Sequence, residues 1–316
     1  MSDQNLNISN LLKQLRSEKD LTQEQLAEKA HVHVKTIRRI ELEKSSPNVE
    51  TLRLILHALG INESEFYAQL YNIDMRQFNS DFDEILDLNS TNNHQAANIK
   101  LDELKAKGYC NMAAPTIKQA ILFCDAVELY YLHKNYVSCF ETCCEALQVT
   151  ISNILSEDKI VDYEKITTLV LTINEFRILN IMANASEQIG HQRQALEISS
   201  ALLVSIENNT INYNIKKEVL PLAYTNFSHR LLNGKSYAEA LEVVERGLEF
   251  SRNVKEFKFI GELLCHKGTA LHFLGEDEQA SKLLHQAHDT FIKNGDTEYA
   301  DIMRESAKQL LGIIVS

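Results

Sequence analysis

The chain has 316 residues, 44% of them hydrophobic, with no Trp, ten Gly and three Pro. So few breakers over this length exclude a turn-rich sheet protein and favour an all-α chain of two domains. The N-terminus lacks the basic and apolar segments of a signal peptide, and no run of about 18 apolar residues occurs, so a cytoplasmic protein without a membrane span is expected. Net charge is −12, which opposes a nucleic-acid partner unless the acid is confined to one region. It is confined. Residues 1–71 carry nine Lys+Arg against ten Asp+Glu, and the remainder carries 23 against 34.

In chain order, Ile8, Leu11, Leu12 and Leu15 recur at helical spacing and give a first helix an apolar stripe. Thr22 with Gln25 three residues on forms a capping box that opens a second helix through Leu26, Ala27 and Ala30. Ala27 is small, as a close helix crossing requires. After a turn at His31-Val32, a third helix runs from about Val34 to Leu42 with Ile37 and Ile40 facing inward. That leaves Val34, Lys35, Arg38 and Arg39 outward on its N-terminal half, where a recognition helix meets base edges. Lys and Arg there can pair with guanine O6 and N7, and Val34 can touch a thymine methyl. Helices from about Val49 to Leu59 and Glu63 to Leu70 complete a five-helix bundle.

The pattern LTQxxLAxxAxVxxxTIxxIExxxxxP followed by LxxIxxALGI resembles the Cro/cI-type (XRE) helix-turn-helix family over about residues 6–71. The resemblance implies that Gln23 binds a DNA phosphate and that Arg16 pairs with Glu41. It also implies that Thr36 reaches backbone or base. With His33 flanking the third helix, the candidate DNA-contacting set is Gln23, His33, Val34, Lys35, Thr36, Arg38 and Arg39. His31 and Glu43 stand where that family often has Gly, and each can adopt φ > 0 only at a cost.

Residues 72–98 are polar but contain Phe78, Phe82, Ile85 and Leu86 at helical spacing, and read as a linker merging into a helix. Beyond them four segments share one pattern: a helix, a short Gly or Lys-Asn turn, then a small residue opening a second helix. The small anchors are Cys139, Ala195, Ala240 and Ala280, spaced 56, 45 and 40 residues apart, longer than the roughly 34 of a tetratricopeptide repeat. The array therefore resembles a degenerate tetratricopeptide domain over 99–316, with Thr297 to Leu311 as terminal cap. Such an array offers a concave face lined by first helices. Asn180 and Asn184 lie on one face of a first helix and Asn226 on another, and Asn can bond a peptide amide in both directions. Asn is a poor helix former, so three in mid-helix suggest a compensating role. Tyr130, Tyr131, Phe176, Tyr224 and Phe227 could line side-chain pockets, although singly each fits a core position better.

The whole combination resembles the peptide-sensing regulators of the Rgg and PlcR type (the RRNPP superfamily). The resemblance implies peptide contacts at Asn180, Asn184 and Asn226, with His266 as a further candidate. It implies a homodimer that binds a double-stranded DNA operator and is modulated by a short signalling peptide. The acidic repeat region favours a neutral or basic peptide over an acidic one. A ligand-independent repressor using the repeats to dimerise, and a protein–protein adaptor, remain the alternatives.

Catalytic patterns are missing. No GxxxxGK[ST], HExxH, GxSxG or zinc-finger spacing occurs, so no enzyme, cofactor or metal is expected. Of six Cys, only Cys139, Cys143 and Cys144 cluster, without the spacing of a metal site. Buried core thiols are the expectation. His285 and His288 read as solvated surface.

Overall fold

The computed structural model describes residues 8–71, 75–109, 114–151, 154–155, 161–208 and 213–315. Cys110 and the first residues of the expected linker, 72–74, lie outside them. The described residues are helical throughout, apart from turns and isolated bridge residues at Leu155 and Val161. The chain divides into two compact units, Met1–Ile160 and Val161–Ser316. No helix among the described residues is long and apolar enough to cross a membrane.

The N-terminal unit opens with five helices: α1 (Ile8–Glu18), α2 (Gln23–Lys29), α3 (Val34–Glu41), α4 (Val49–Leu59) and α5 (Glu63–Tyr71). Thr22 and Gln25 form the expected reciprocal cap at the start of α2. Leu11, Leu12, Leu15, Leu26, Ile37, Ile40, Leu52, Ile55 and Leu56 close one core. His31 and Glu43 both adopt left-handed backbone, at φ 53° and 57°, so the chain keeps the geometry of the turn and helix end without the glycines that would ease it.

Helix pairs follow: α6 (Met75–Ser90) with α7 (His94–Ala106), and α8 (Pro115–Tyr131) with α9 (Tyr136–Thr150). The second unit holds a short α10 (Tyr163–Thr168), then α11 (Ile173–Gln188) with α12 (Gln192–Asn208). After these come α13 (Tyr213–Asn233) with α14 (Tyr237–Val254), and α15 (Ile260–Phe273) with α16 (Asp277–Asn294). Helix α17 (Thr297–Ser306) and a π-helical turn, Ala307–Leu311, end the array where a cap is expected.

One local rule builds every pair. The turn holds a single left-handed residue, and the fifth residue after it is small and fully buried: Asn92 and Ala97, Lys134 and Cys139, Gly190 and Ala195, Lys235 and Ala240, Gly275 and Ala280, Gly295 and Ala300. In five of these six turns the next amide donates to the carbonyl five residues back, as Ser236 does to Leu231 and Glu276 to Leu271. This bond and its shorter companion satisfy the orphan carbonyls of the first helix. At Lys134 the bond from Asn135 reaches Leu129 instead. The small residue then sits one turn into the second helix, where the two axes must approach. Asn92 and Ala97 extend the rule into the segment expected to be a linker. The long interval between Cys139 and Ala195 holds the inserted α10.

Glycines tighten the crossings further. A Cβ on Gly268 would lie 2.9 Å from Leu284 Cγ and 3.2 Å from the Ala280 carbonyl, and one on Gly247 would lie 2.9 Å from Tyr224 Cβ. Phe176, Tyr224 and Phe227 are buried in the core, while Tyr131 is exposed and stacks on His94 at 4.1 Å between ring centroids. Cys124, Cys139, Cys143 and Cys144 are free and buried. Burial pushes the Cys143 thiol well up, so it stays protonated. His288 corrects the surface reading made for it: it lies on the buried side of α16.

Candidate DNA-binding and ligand-binding surfaces

Helix α3 is held by one ion pair on its inward side. Arg16 Nε donates to Glu41 Oε1 at 2.6 Å, and a second guanidinium nitrogen donates to Oε2 at 2.9 Å. This fork is bidentate, the strong geometry for an arginine and a carboxylate. Arg16 also donates to the Leu21 carbonyl, tying the α1–α2 turn to the end of α3. Burial raises the Glu41 carboxyl, but the hydrogen bonds from Arg16 and Gln23 and the charge of Arg16 outweigh it, leaving the group below its ordinary value.

The outward side presents Lys35, Arg38 and Arg39 exposed, with Val34 and Thr36 half-buried between them. His33 caps α3: its Nδ1 accepts from the Lys35 amide at 3.1 Å. Gln23 Nε2 donates to Glu41 Oε2 at 2.7 Å, which fixes the side chain beside the recognition helix and leaves its second N–H for another acceptor. The sequence reading missed Glu24. Its carboxylate accepts from Arg38 at 2.5 Å across the α2–α3 turn, with both side chains more than half exposed.

In the second unit the predicted asparagines meet. Three positions on α11, Asn180, Asn184 and Glu187, face three on α13, Asn226, Arg230 and Asn233, at one constant offset. Asn226 Nδ2 donates to Asn180 Oδ1 at 2.6 Å, Arg230 donates to Asn184 Oδ1 at 2.5 Å, and Asn233 Nδ2 donates to Glu187 Oε1 at 2.9 Å. Each set spans i, i+4 and i+7, which is one face of a helix. Two aligned first helices are therefore joined by a polar ladder. It continues to α15, where His266 Nδ1 lies 2.8 Å from Ser228 Oγ and its ring lies 5.7 Å from that of His229. Burial lowers His266 to about 3, and burial also lowers His229.

This layer is the inner one. First helices α11, α13 and α15 touch their like neighbours, whereas α12 and α14, or α14 and α16, share no comparable contact. Close spacing on one side and wide spacing on the other curves the second unit with the first helices inside. All four predicted ligand contacts, Asn180, Asn184, Asn226 and His266, thus fall on one inner surface. Arg230, Glu187, Asn233 and His229 share it and were not anticipated. The signal was present as repeated polar residues at i, i+4 and i+7 with matching offset on the two helices.

Among the described residues no group of His, Cys, Asp or Glu is arranged to hold a metal.

Two family matches cover most of the chain. A helix-turn-helix family matches residues 12–66, and the RNPP family C-terminal domain matches residues 111–311. No curated protein sequence matches. Among solved structures, PlcR from Bacillus thuringiensis in complex with the peptide PapR7 and DNA is 21% identical. That match covers 94% of this chain and 99% of that one, with TM-score 0.61. The apo form of the competence regulator ComR from Streptococcus vestibularis is 14% identical, with 98% and 99% covered and TM-score 0.56. ComR from S. thermophilus in complex with DNA and its signalling peptide ComS is 13% identical, with 97% and 100% covered and TM-score 0.52. At these identities the likeness establishes the shared fold.

Proposed function

The chain belongs to the RNPP family, and from that premise we propose that it is a cytoplasmic, homodimeric transcription regulator whose repeats bind a short signalling peptide. Residues 1–71 form the DNA-binding domain, 72–98 connect it, and 99–316 bind peptide and dimerise. Lys35, Arg38 and Arg39 read the major groove of a two-fold operator, Val34 and Thr36 fill between them, and Gln23 and His33 contact the backbone. A dimer doubles the basic face of a domain that is nearly neutral by itself.

The observation that carries the sensor reading is the ladder on α11 and α13. Asparagines on the inner surface of a curved array suit an extended peptide, because each side-chain amide can accept and donate to a backbone in one plane. PlcR and ComR were each solved with both DNA and a peptide, which supports the same pairing of partners for this chain. A peptide acts on DNA binding only through a difference in its affinity for two arrangements of the protein.

A second reading draws on the same ladder. Its side chains bond across the two helices, Asn226 to Asn180 and Arg230 to Asn184, which is what a ligand-independent repressor needs of a polar seam. One experiment separates the two. The full chain is titrated onto its promoter DNA in mobility-shift assays, with and without short peptides encoded beside its gene. A peptide-dependent shift that Asn184→Ala or Asn226→Ala removes supports the sensor. A shift indifferent to every peptide, but lost in Arg38→Ala, returns the repeats to a purely dimerising role.

A further inference from the structure

Two patches at opposite ends of α15 take no part in the ladder. The first is the α14–α15 turn. Arg252, Lys255 and Lys258 stand exposed there around Phe257, which is more than half exposed. None of the three cations is in an ion pair among the described residues. The turn is built rather than loose. Lys255 takes left-handed backbone at φ 55°, the Glu256 amide donates to the Ser251 carbonyl at 3.0 Å, and the Lys258 amide donates to Glu256 Oε1 at 3.2 Å. The second patch is the α15–α16 turn. Phe273 and Leu274 are each nearly half exposed, and Tyr237 stacks on Phe273 with ring centroids 4.5 Å apart. Glu276, Asp277 and Glu278 follow, all exposed. Asp277 and Glu278 touch His272 and Lys282, yet both carboxylates still face solvent.

Charge at these two ends has a local cause, since cations suit the C-terminus of α14 and acids the N-terminus of α16. Exposed rings beside the charges do not follow from it, because apolar surface left in water is a cost. Apolar side chains rimmed by charge mark a docking surface. The two patches are opposite in sign and alike in apolar content. Helix α15 has 14 residues, which sets them about 20 Å apart on opposite edges of the unit. Either patch against its own copy would oppose three like charges, whereas each against the other pairs opposite charges and closes apolar surface on apolar surface. We propose that a second copy of this chain docks head to tail, the α14–α15 turn of one copy against the α15–α16 turn of the next. Such a contact is heterologous, so it leaves an unlike patch open at each end, whereas a two-fold dimer uses one patch twice. It needs neither peptide nor DNA. Two turns make a contact at the small, transient end of protein interfaces, below about 1,200 Å². It gains effect where neighbouring operators hold copies side by side and raise their effective concentration. That consequence rests on the DNA-binding reading above, and the contact itself does not.

Sedimentation velocity of the full-length chain tests the contact. Weight-average mass is followed from dilute to concentrated protein, at low and at high salt. The dilute plateau gives the basal state and so tests the homodimer by itself. Above that plateau the mass is expected to rise at least twofold with concentration at low salt, and to fall back at high salt, where exposed charge is screened. Lys255→Glu with Lys258→Glu removes the rise, and so does Glu276→Lys with Asp277→Lys. Mixing the two double variants restores it, because the unaltered turn of each meets the unaltered turn of the other. All four positions are exposed, and melting close to that of the native chain checks that both variants fold. Mass that stays at the plateau at every concentration overturns the proposal. So does a rise that survives both reversals, or one that mixing fails to restore. A reversal at Lys255 and Lys258 that leaves the rise intact but weakens binding to nonspecific duplex DNA also overturns it, and assigns the basic turn to DNA.

Discussion

The helix-turn-helix bundle and the repeat layer both place an arginine beside a glutamate, and they use the pair in opposite ways. Arg16 and Glu41 lock two-bonded, with side chains 13% and 3% exposed, and of the residues proposed to touch DNA only Gln23 is bonded to that lock. Arg230 and Glu187 lie within the proposed ligand surface, loosely apposed, with every neighbouring asparagine engaged. A rigid partner such as duplex DNA is met by side chains already presented on a fixed helix. A flexible peptide must exchange bonds with groups that are bonded to each other before it arrives. The first arrangement minimises reorganisation on binding, and the second makes occupancy felt across two helices at once.

The comparison is broken most severely at the lock. Arg16→Met leaves Glu41 buried without its cation, and removing one partner of a buried pair costs about 3–5 kcal/mol. The N-terminal bundle is expected to melt well before the repeats, as a separate early transition in calorimetry. A single transition at the wild-type temperature would show the pair to be dispensable. Next comes the packing that aligns the ladder. Gly268→Val drives a branched side chain toward Leu284 and the Ala280 carbonyl, and such overpacking costs about 1–3 kcal/mol. Here the later, repeat-unit transition should fall while the bundle is unmoved. An unchanged melting profile would mean that α15 and α16 can move apart at little cost.

Much of this architecture was legible in the chain. The bundle follows from Leu11, Leu12, Leu15, Ile37 and Ile40 at helical spacing, and the cap at Thr22 from a short-range rule, because both signals are local. The small anchors Cys139, Ala195, Ala240 and Ala280 were equally clear, since steric demand at a crossing admits few residue types. Three things were not. The pair α6–α7 follows the same turn rule, but Asn92 stands where Gly or Lys appears elsewhere, and the polar composition suggested a linker. Pro221 reads as a helix breaker, yet α13 runs through it, because packing on both sides offsets the one lost hydrogen bond. Arg230 was passed over because charge reads as surface unless its partners are known, and those partners lie 46 positions away on another helix.

On the DNA side a smaller effect sharpens the contrast. Arg38→Ala removes a proposed base contact, worth about 1–3 kcal/mol, and operator affinity should fall accordingly. Glu24→Ala acts in the opposite direction. It frees Arg38 and removes a negative charge from the face that meets phosphate, and an exposed pair of this kind adds little to stability. Operator affinity should rise by a few-fold at low salt and converge with the wild type as salt increases. A fall in affinity would mean that Glu24 orients Arg38 for the groove rather than competing with it.

The subtlest difference is in acid. His266 is lowered by burial to about 3, against about 6.5 for an unfolded histidine. Between those values the unfolded chain takes a proton that the folded repeats do not, so stability rises with pH across the window and is lost as pH falls below about 6.5. His229, also lowered by burial, adds to the loss. Glu262, raised by burial, works the other way in the carboxylate range, where the folded unit holds the extra proton. Denaturation midpoints of the repeat transition measured at pH 7.5 and 5.5 should therefore differ, with the lower value at pH 5.5. In His266→Gln, which keeps a hydrogen-bonding group near Ser228 and cannot titrate, the difference should narrow. The bundle transition should barely respond over the same interval, because Glu41 is held below the ordinary carboxylate value and stays ionised throughout. An equal acid response in both transitions would place the sensitivity outside the ladder.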